Sequence, residues 1–386
     1  MLTRDEYNLL ASEELRTAIR TNRHRDPLQV ALDRSLSEPR LVATQLKYLT
    51  RAATKLPSYA EACCILPPRA FEQASSERCA AHKPLNGERV LDLTCGLGVD
   101  ALALSHRFRQ VVTLERNEVL ADVARENFRR LGANNITVVT TDAESYVAAC
   151  EEHFDWIFAD PDRRSAEGKK LVCLEDCSPD VLALMPHLKR LAPRLCLKNS
   201  PLFDVDEAFR LFPEADVEVV SLGGECKEVL ISVGEGIARK LTATSLDSAE
   251  SFSLQERPSE LPHEDFDPTR YRFLILPDVA LQKARLTRAY FACEEHRAAI
   301  WSEHGYAFTT EPPQKVMGRV EEIVTIEPYD PKQLKRRLKG QGVELLKRDF
   351  DIPLETVRRR LGLREGNKIR LALTKIESNY WTISLK

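Results

Sequence analysis

The sequence predicts an α/β protein built on a doubly wound sheet, parallel except for one antiparallel strand. A helical N-terminal region precedes the sheet and compact α+β modules follow it. Three observations predict this. The apolar run Val90-Leu-Asp-Leu93 breaks into the turn Thr94-Cys-Gly-Leu-Gly98 and resumes as a helix start at Ala101. Strand, Gly-x-Gly turn and helix make the entrance to a nucleotide-type site, because glycines let the backbone approach a ligand. From Arg89 to about Glu235, candidate strands alternate with helical stretches, which is the pattern of a parallel sheet with helices on both faces. The last two strands of that series are joined only by residues around Gly223-Gly224, which is hairpin spacing and turns the final strand antiparallel.

From the N-terminus to about Lys83, Leu9-Leu10, Leu15 and Ala18-Ile19 recur at helical spacing, with Pro27 and Pro39 dividing several short helices. Gln45 to Lys55 forms another helix, whose basic stripe Lys47, Arg51 and Lys55 is a solvated face. Pro67-Pro68 starts a helix that runs towards the first strand. The strands are Val90–Leu93, Val111–Leu114, Ile136–Thr140, Trp156–Ala159, Arg194–Leu197, Val217–Ser221 and Glu228–Val233. Glu118–Leu131 and Asp180–Leu191 are helices between them. Thr242 to Asp267, rich in Ser, Thr, Pro and Glu, reads as a boundary or long loops. Tyr271–Leu276 is a strand, and a helix runs from about Val279 to His296. Past Val320 come strand Glu322–Ile326, helix Pro331–Lys339, strand Val343–Lys347, helix Leu354–Leu361 and strands Lys368–Thr374 and Tyr380–Leu385.

At 386 residues the chain has room for two or three cores. Its net charge of −3 excludes bulk charge as a nucleic-acid signal, so any basic surface is local. The polar start and the lack of a long apolar run point to a cytoplasmic protein without a signal peptide or membrane span. Ten cysteines show no Cys-x-x-Cys and no completing histidines, so reduced buried thiols are expected and no metal site.

The chemistry lies at strand ends, where open parallel sheets bind ligands. Asp92 ends the first strand, beside the turn of Thr94, Gly96 and Gly98. The ammonium of an amino-acid-like ligand needs an acceptor there, which Asp92 or backbone carbonyls can supply. Glu115, followed by Arg116, lies about 20 residues after the glycine turn, where an acid accepts from ribose hydroxyls. Asp142 follows the third strand and can accept from an exocyclic adenine amine. The fourth strand runs into Asp160-Pro-Asp-Arg-Arg164. Each acid alone is equally a helix cap or turn former. Four in consecutive units, with the glycine turn in the first, point to a ligand.

The run from Phe71 to Val233 resembles a class I S-adenosylmethionine-dependent methyltransferase with a Rossmann-like sheet. The resemblance implies that Asp92, Thr94, Gly96 and Gly98 surround the methionine part, Glu115 the ribose, and Asp142 and Ala143 the adenine. It implies that Asp160-Pro161 meets the methyl acceptor. The segment Glu72-Gln-Ala-Ser-Ser-Glu77 resembles the element covering the cofactor in several nucleic-acid methylases, with Gln73 at the methionine end. The whole chain resembles the bacterial THUMP-like-domain methyltransferases. That implies a helical domain at 1–83, a methyltransferase domain at 84–238, a ferredoxin-like segment at 239–319 containing Tyr271–Asp278, and a THUMP-like module at 320–386. It also implies RNA binding, to tRNA or rRNA.

Local charge gives an independent argument for an RNA partner. Between Pro331 and Lys375 fourteen Lys and Arg face five acids, an excess of nine in a chain of net −3. A basic module on an acidic body is the footprint of a phosphate-backbone binder. The clusters Lys335-Arg336-Arg337 and Arg358-Arg359-Arg360 fall on separate helices. At the acceptor motif, amino-methylases often carry Asp/Asn-Pro-Pro-aromatic, whereas this chain has Asp-Pro-Asp-Arg-Arg. Asp160 and Asp162 can orient or deprotonate an acceptor, and Arg163 and Arg164 can clamp a phosphate or carboxylate. No cysteine sits in a Pro-Cys context, so direct in-line methyl transfer to a base is the mechanism expected. The alternatives are a methyltransferase acting on a small molecule or protein, and a non-catalytic RNA binder with the cofactor fold. A nicotinamide oxidoreductase is the most distant, because it leaves Asp142 and Asp160-Pro161 without a task.

Overall fold

The computed structural model describes residues 2–163, 174–258 and 265–386, and its chain forms two compact units. The first comprises residues 1–215 and 230–238. The second comprises residues 216–229 and 239–386.

The first unit opens with α1 (Arg4–Ala11), α2 (Glu13–Thr21), α3 (Pro27–Ala31), α4 (Pro39–Lys55), α5 (Pro57–Glu61), α6 (Pro68–Gln73) and α7 (Glu77–His82). Local chemistry sets these ends. Thr3 and Glu6 form a capping box on α1, Ser12 caps α2, and α3 to α6 each start on a proline, whose fixed φ and missing N–H suit a first turn. The basic stripe of α4 is less solvated than expected: Arg51 pairs with Glu72, and Lys55 Nζ donates to the Phe71 carbonyl at 2.7 Å, tying α6 to α4. Two buried amides hold the segment between them. Gln45 accepts from Leu66 N (2.9 Å) and donates to Leu66 O (3.3 Å). Asn127 accepts from Ile65 N (2.8 Å) and donates to Ile65 O (2.9 Å).

The sheet of this unit carries β1 (Gly87–Asp92), β2 (Phe108–Glu115), β3 (Ile136–Thr140), β4 (Trp156–Ala159) and β7 (Arg194–Asn199), in the order β7-β4-β1-β2-β3, all parallel. Two short strands, β5 (Asp162–Arg163) and β6 (Cys177–Ser178), pair outside it. The connecting helices are α8 (Val99–Ser105), α9 (Glu118–Leu131), α10 (Ala143–Ala149), α11 (Val181–Leu191) and α12 (Val205–Leu211). Continuous apolar runs such as Trp156–Ala159, buried at every position, make the sheet interior, as strands covered on both faces require.

The second unit begins with β8 (Asp216–Leu222) and the first five residues of β9 (Glu225–Gly234), joined by the two-residue turn Gly223-Gly224. Both glycines take positive φ (65° and 73°), the turn that matches strand twist, so the expected hairpin forms. Residues Thr242 to Asp267 correct an expectation. They are not all loop, because β10 (Lys240–Ser245) pairs parallel with β8 and antiparallel with β11 (Glu250–Leu254). Thr242, Thr244 and Ser245 of β10, read as loop formers, are buried in the sheet, and Thr242 Oγ1 lies 2.9 Å from Oγ of Ser253 on the more exposed β11.

A second sheet, ordered β13-β12-β14-β17-β16-β15, contains β12 (Phe273–Pro277), β13 (Ala307–Thr309), β14 (Gly318–Pro328), β15 (Gly342–Arg348), β16 (Arg364–Ile376) and β17 (Asn379–Leu385). The single helix expected from Val279 to His296 is broken into α13 (Val279–Ala284), α14 (Thr287–Ala292) and a 3₁₀ turn, because Arg285 takes the left-handed conformation (φ 55°). On one face of this sheet, α15 (Pro331–Leu338) and α16 (Leu354–Leu361) bury Leu334, Leu338, Val357 and Leu361 against Leu345, Leu371 and Leu373. On the other, Tyr271, Phe308, Ile383 and Trp381 make an aromatic-rich core.

Candidate active site

The cavity of the first unit measures about 700 Å³ and lies at the carboxyl ends of β1 to β4. Thr94, Gly96, Glu115, Arg116, Asp142, Ala143, Asp160 and Asp162 all line it, and so does Gln73 from the end of α6. Eight residues read from strand ends and one from a covering helix are thus gathered around one opening. Arg163 belongs to β5, but its side chain and Arg164 lie outside the described residues.

Local geometry gives each group a distinct situation. Gly96 has φ 54°, and a Cβ built there meets no protein atom within 4 Å, so that side of the turn is open. Its N–H donates to Glu115 Oε2 at 3.0 Å, while Asn117 N–H donates to Oε1 at 2.8 Å. These bonds aim the Glu115 carboxylate across the turn. Burial raises its pKa, and the two backbone donors oppose the rise. Asp142 caps α10, accepting from Ser145 N at 2.7 Å and Ser145 Oγ at 2.9 Å, and these bonds hold its pKa low. It is a helix cap and a cavity residue at once.

Two residues read as ligand contacts sit behind the wall. Asp92 is fully buried and does not line the cavity. Its Oδ1 accepts from Thr94 N–H (3.0 Å) and its Oδ2 from Thr113 Oγ1 (2.6 Å), so it shapes the turn from below. Burial drives its pKa up to about 7, against those hydrogen bonds. Gly98, at φ 85°, is also outside the lining. A Cβ there would lie 2.4 Å from the Phe128 ring, so glycine is required for packing.

At the end of β4, Asp160 N–H donates to Thr94 Oγ1 at 2.8 Å, and the Asp160 carboxylate accepts from Lys198 at the end of β7. Lys198 Nζ also lies 3.6 Å from Asp100, which pairs with Lys83 at 2.6 Å and accepts from Ser75 Oγ at 2.9 Å. Lys83 is only 1% exposed. Two ammonium groups and two carboxylates therefore alternate at the cavity wall, with Asp100 and Asp160 lining it and the two lysines behind them. Burial alone would raise Asp100, but Lys83 and Lys198 hold it well below the ordinary carboxylate range. Burial raises Asp160, and Lys198 opposes the rise. Sequence reading gave Asp100, Lys83 and Ser75 no part in the site. The only local signal was an acid in the first turn of the helix after the glycine turn, a position that ordinarily means helix-dipole complementarity.

The N-terminal helices supply the rest of the lining, including Thr44 and Gln45 of α4 and Pro67-Pro68. Because Gln45 and Asn127 clamp Ile65-Leu66, the segment that starts α6 is fixed over the opening.

The second unit answers whether the two basic clusters share a face. The helices α15 and α16 pack side by side on one face of the sheet, and their C-terminal ends are joined by Gly340 N–H to Gly362 O (2.8 Å) and Arg364 N–H to Gln341 O (2.9 Å). Lys335, Arg336 and Arg337 lie in the last turn of one helix, and Arg358, Arg359 and Arg360 in the last turn of the other. Among the described residues, two of the six have partners: Arg337 pairs with Glu327, and Arg358 donates to the Val343 carbonyl.

A family model for a methyltransferase domain matches residues 90–165, and one for a THUMP domain-like region matches residues 318–386. The chain is 28% identical over 362 residues to an uncharacterised S-adenosylmethionine-dependent methyltransferase of Mycobacterium tuberculosis, covering 88% of this chain and 93% of that one. This protein is an S-adenosylmethionine-dependent methyltransferase with a THUMP-like domain. The methyltransferase is similar in fold over its whole length to a solved chain from Porphyromonas gingivalis W83 assigned as a methyltransferase, with TM-score 0.82, 24% identity and coverage of 100% of this chain and 99% of that one. Over 130 residues, 29% of this chain and 50% of its relative, it is 32% identical to ribosomal RNA small subunit methyltransferase J of Coxiella burnetii. The enzyme's cofactor is S-adenosylmethionine, and the site suits it: a cavity of about 700 Å³, an open glycine turn and carboxylates at the ends of β2, β3 and β4. Among the described residues no helix is long and apolar enough to cross a membrane.

Proposed function

We propose that this methyltransferase acts on a base of RNA in the cytoplasm, by direct transfer. The observation that carries the reading is the pair of basic last turns on α15 and α16, four of whose cations (Lys335, Arg336, Arg359 and Arg360) have no carboxylate partner among the described residues. Such a surface in a chain of net charge −3 fits a phosphate backbone. The partial likeness to ribosomal RNA methyltransferases supports it.

In this reading Glu115 takes the ribose hydroxyls, Asp142 and Ala143 the adenine, and Gln73, Thr94 and Gly96 the methionine part, with Arg116 at the rim. Asp92 and Gly98 act through the shape of the turn. S-adenosylmethionine supplies an electrophilic methyl on a sulfonium. The protein supplies alignment, because an in-line displacement needs orientation more than covalent help. Asp160, fixed by Lys198 and the Thr94 hydroxyl, holds the acceptor amine and takes up its proton, with Asp162 and Arg163 beside it. The domain division at 83, 238 and 319 belongs to the same reading. Its test is incubation with labelled cofactor and fractionated cellular RNA, followed by nucleoside analysis. A methylated nucleoside in one RNA class is expected. Transfer to protein or small metabolites with none to RNA would overturn the proposal.

A further inference from the structure

The second unit contains a cavity of about 610 Å³ that shares no residue with the first. Arg270, Arg288, His296, Arg297, Trp301 and Phe308 form its working walls, and Glu294, Glu295 and Glu311 also line it. Two buried nitrogens on those walls, Nε of Arg288 and Nδ1 of His296, have no hydrogen-bond partner among the described residues. A buried polar group without a partner carries its full desolvation cost, so folded proteins rarely keep two in one place.

Neither group is loose. His296 stacks on Tyr290 with ring centroids 4.2 Å apart and planes 12° from parallel, and the Tyr290 hydroxyl accepts from Met317 N–H at 2.8 Å. Its Nε2 lies 4.0 Å from the Glu295 carboxylate, leaving Nδ1 for another partner. The backbone N–H of Arg288 donates to Glu303 at 3.4 Å, yet among the described residues no carboxylate pairs with its guanidinium. Elsewhere in this unit arginines facing acids do pair, as Arg370 does with Glu321 and Glu344.

We propose that this cavity is an oxyanion site that takes the phosphate of a nucleotide, either free or carried by a strand of RNA. Arg288 and His296 supply the inner donors, and the exposed guanidinium groups of Arg270 and Arg297 supply charge at the mouth. The partly exposed Trp301 lines the same cavity, where a base can contact its ring. The volume is too large for a carboxylate alone. The three glutamates disfavour a long run of phosphates and admit one.

The test uses the full-length protein saturated with S-adenosylhomocysteine, so that adenosine-type probes cannot enter the cofactor cavity. Calorimetry is then run with inorganic phosphate, with AMP and with a single-stranded RNA pentanucleotide. AMP is expected to bind more tightly than phosphate, and Arg288→Gln and Arg297→Gln are each expected to weaken it about tenfold. Arg297 is exposed, so its variant decides the matter if Arg288→Gln fails to fold. Pentanucleotide binding without AMP binding, lost in the same variants, assigns the phosphate to an RNA strand. The reverse assigns it to a free nucleotide. Failure of all three probes at millimolar concentration, or equal affinities in wild type and both variants, overturns the proposal. The phosphate and AMP results stand whether or not the α15–α16 face binds RNA.

Discussion

The cofactor cavity and the basic face of α15 and α16 use opposite charges, yet both sort their charged groups in the same way. At the cavity, Asp92 is satisfied inside the protein and does not line it, while Asp100, Glu115 and Asp160 are held by internal donors and still line the site. On the basic face, Arg337 and Arg358 have internal partners, and Lys335, Arg336, Arg359 and Arg360 have none among the described residues. In both regions the groups with complete internal partners build the frame, and the incompletely satisfied ones are the candidates for a ligand.

The largest expected effect comes from the two glycines of the turn. In Gly96→Val the side chain enters space that holds no protein atom, so S-adenosylhomocysteine affinity should fall on the order of a thousandfold while the fold survives the strain of φ 54°. Gly98→Ala should do the converse, because its Cβ meets the Phe128 ring. It should cost about 1–3 kcal/mol of stability. Calorimetric titration beside urea unfolding separates the two, and equal affinity losses in both variants would dissolve the distinction.

Next comes the buried charge chain. Lys83→Met strips Asp100 of its nearer cation, and unpairing a buried charge costs about 3–5 kcal/mol. Adding Asp100→Asn should recover part of the loss, since the second change removes the stranded charge. A double variant less stable than the sum of the single ones would mean that the ion pair is not what Lys83 contributes.

Asp92 makes a third case. Its folded pKa of about 7 stands above the ordinary carboxylate value, so the folded state favours the protonated acid. That contribution is complete below the unfolded pKa, near 4, and is lost as pH rises through 7. Wild type should lose roughly 2–3 kcal/mol between pH 5 and 8 from this group, and Asp92→Asn should lack that slope. Its affinity for S-adenosylhomocysteine should stay within a few fold. A large loss instead would place the Asp92 carboxylate in contact with ligand.

Much of this was legible in the chain, for a definite reason. Strand ends are marked by local chemistry: an apolar run followed by a glycine turn or a capping acid, as at Asp92, Glu115 and Asp142. Ile136–Thr140, Trp156–Ala159 and Leu354–Leu361 match their expected bounds because turn or cap residues flank each. What stayed hidden depends on pairing between distant residues. Nothing near Lys83 or Lys198 reveals that both meet Asp100, and nothing near Asp92 reveals that Thr113 closes the carboxylate from behind. The β10–β11 hairpin was missed because its Ser and Thr serve loops and strands equally, and only pairing with β8 decides between them.

The smallest effect tests the contrast most sharply on the basic face. Replacing Lys335, Arg336, Arg359 and Arg360 together by Gln removes four cations that lack carboxylate partners. Each phosphate contact on single-stranded RNA adds about −0.7 to the slope of log affinity against log salt. If the RNA reading is right, the slope measured by filter binding should shrink by roughly 3, with affinity at physiological salt down tenfold or more. Arg337→Gln breaks the pair with Glu327 and serves as the control, because an arginine already neutralised by a carboxylate releases few counterions from RNA. Its slope should match wild type. A slope lowered equally by the control would mean that net charge, and not the unpartnered subset, governs binding. An unchanged slope in the fourfold variant would remove this face from the RNA interface, and the helix-dipole complementarity of two basic last turns would then account for it.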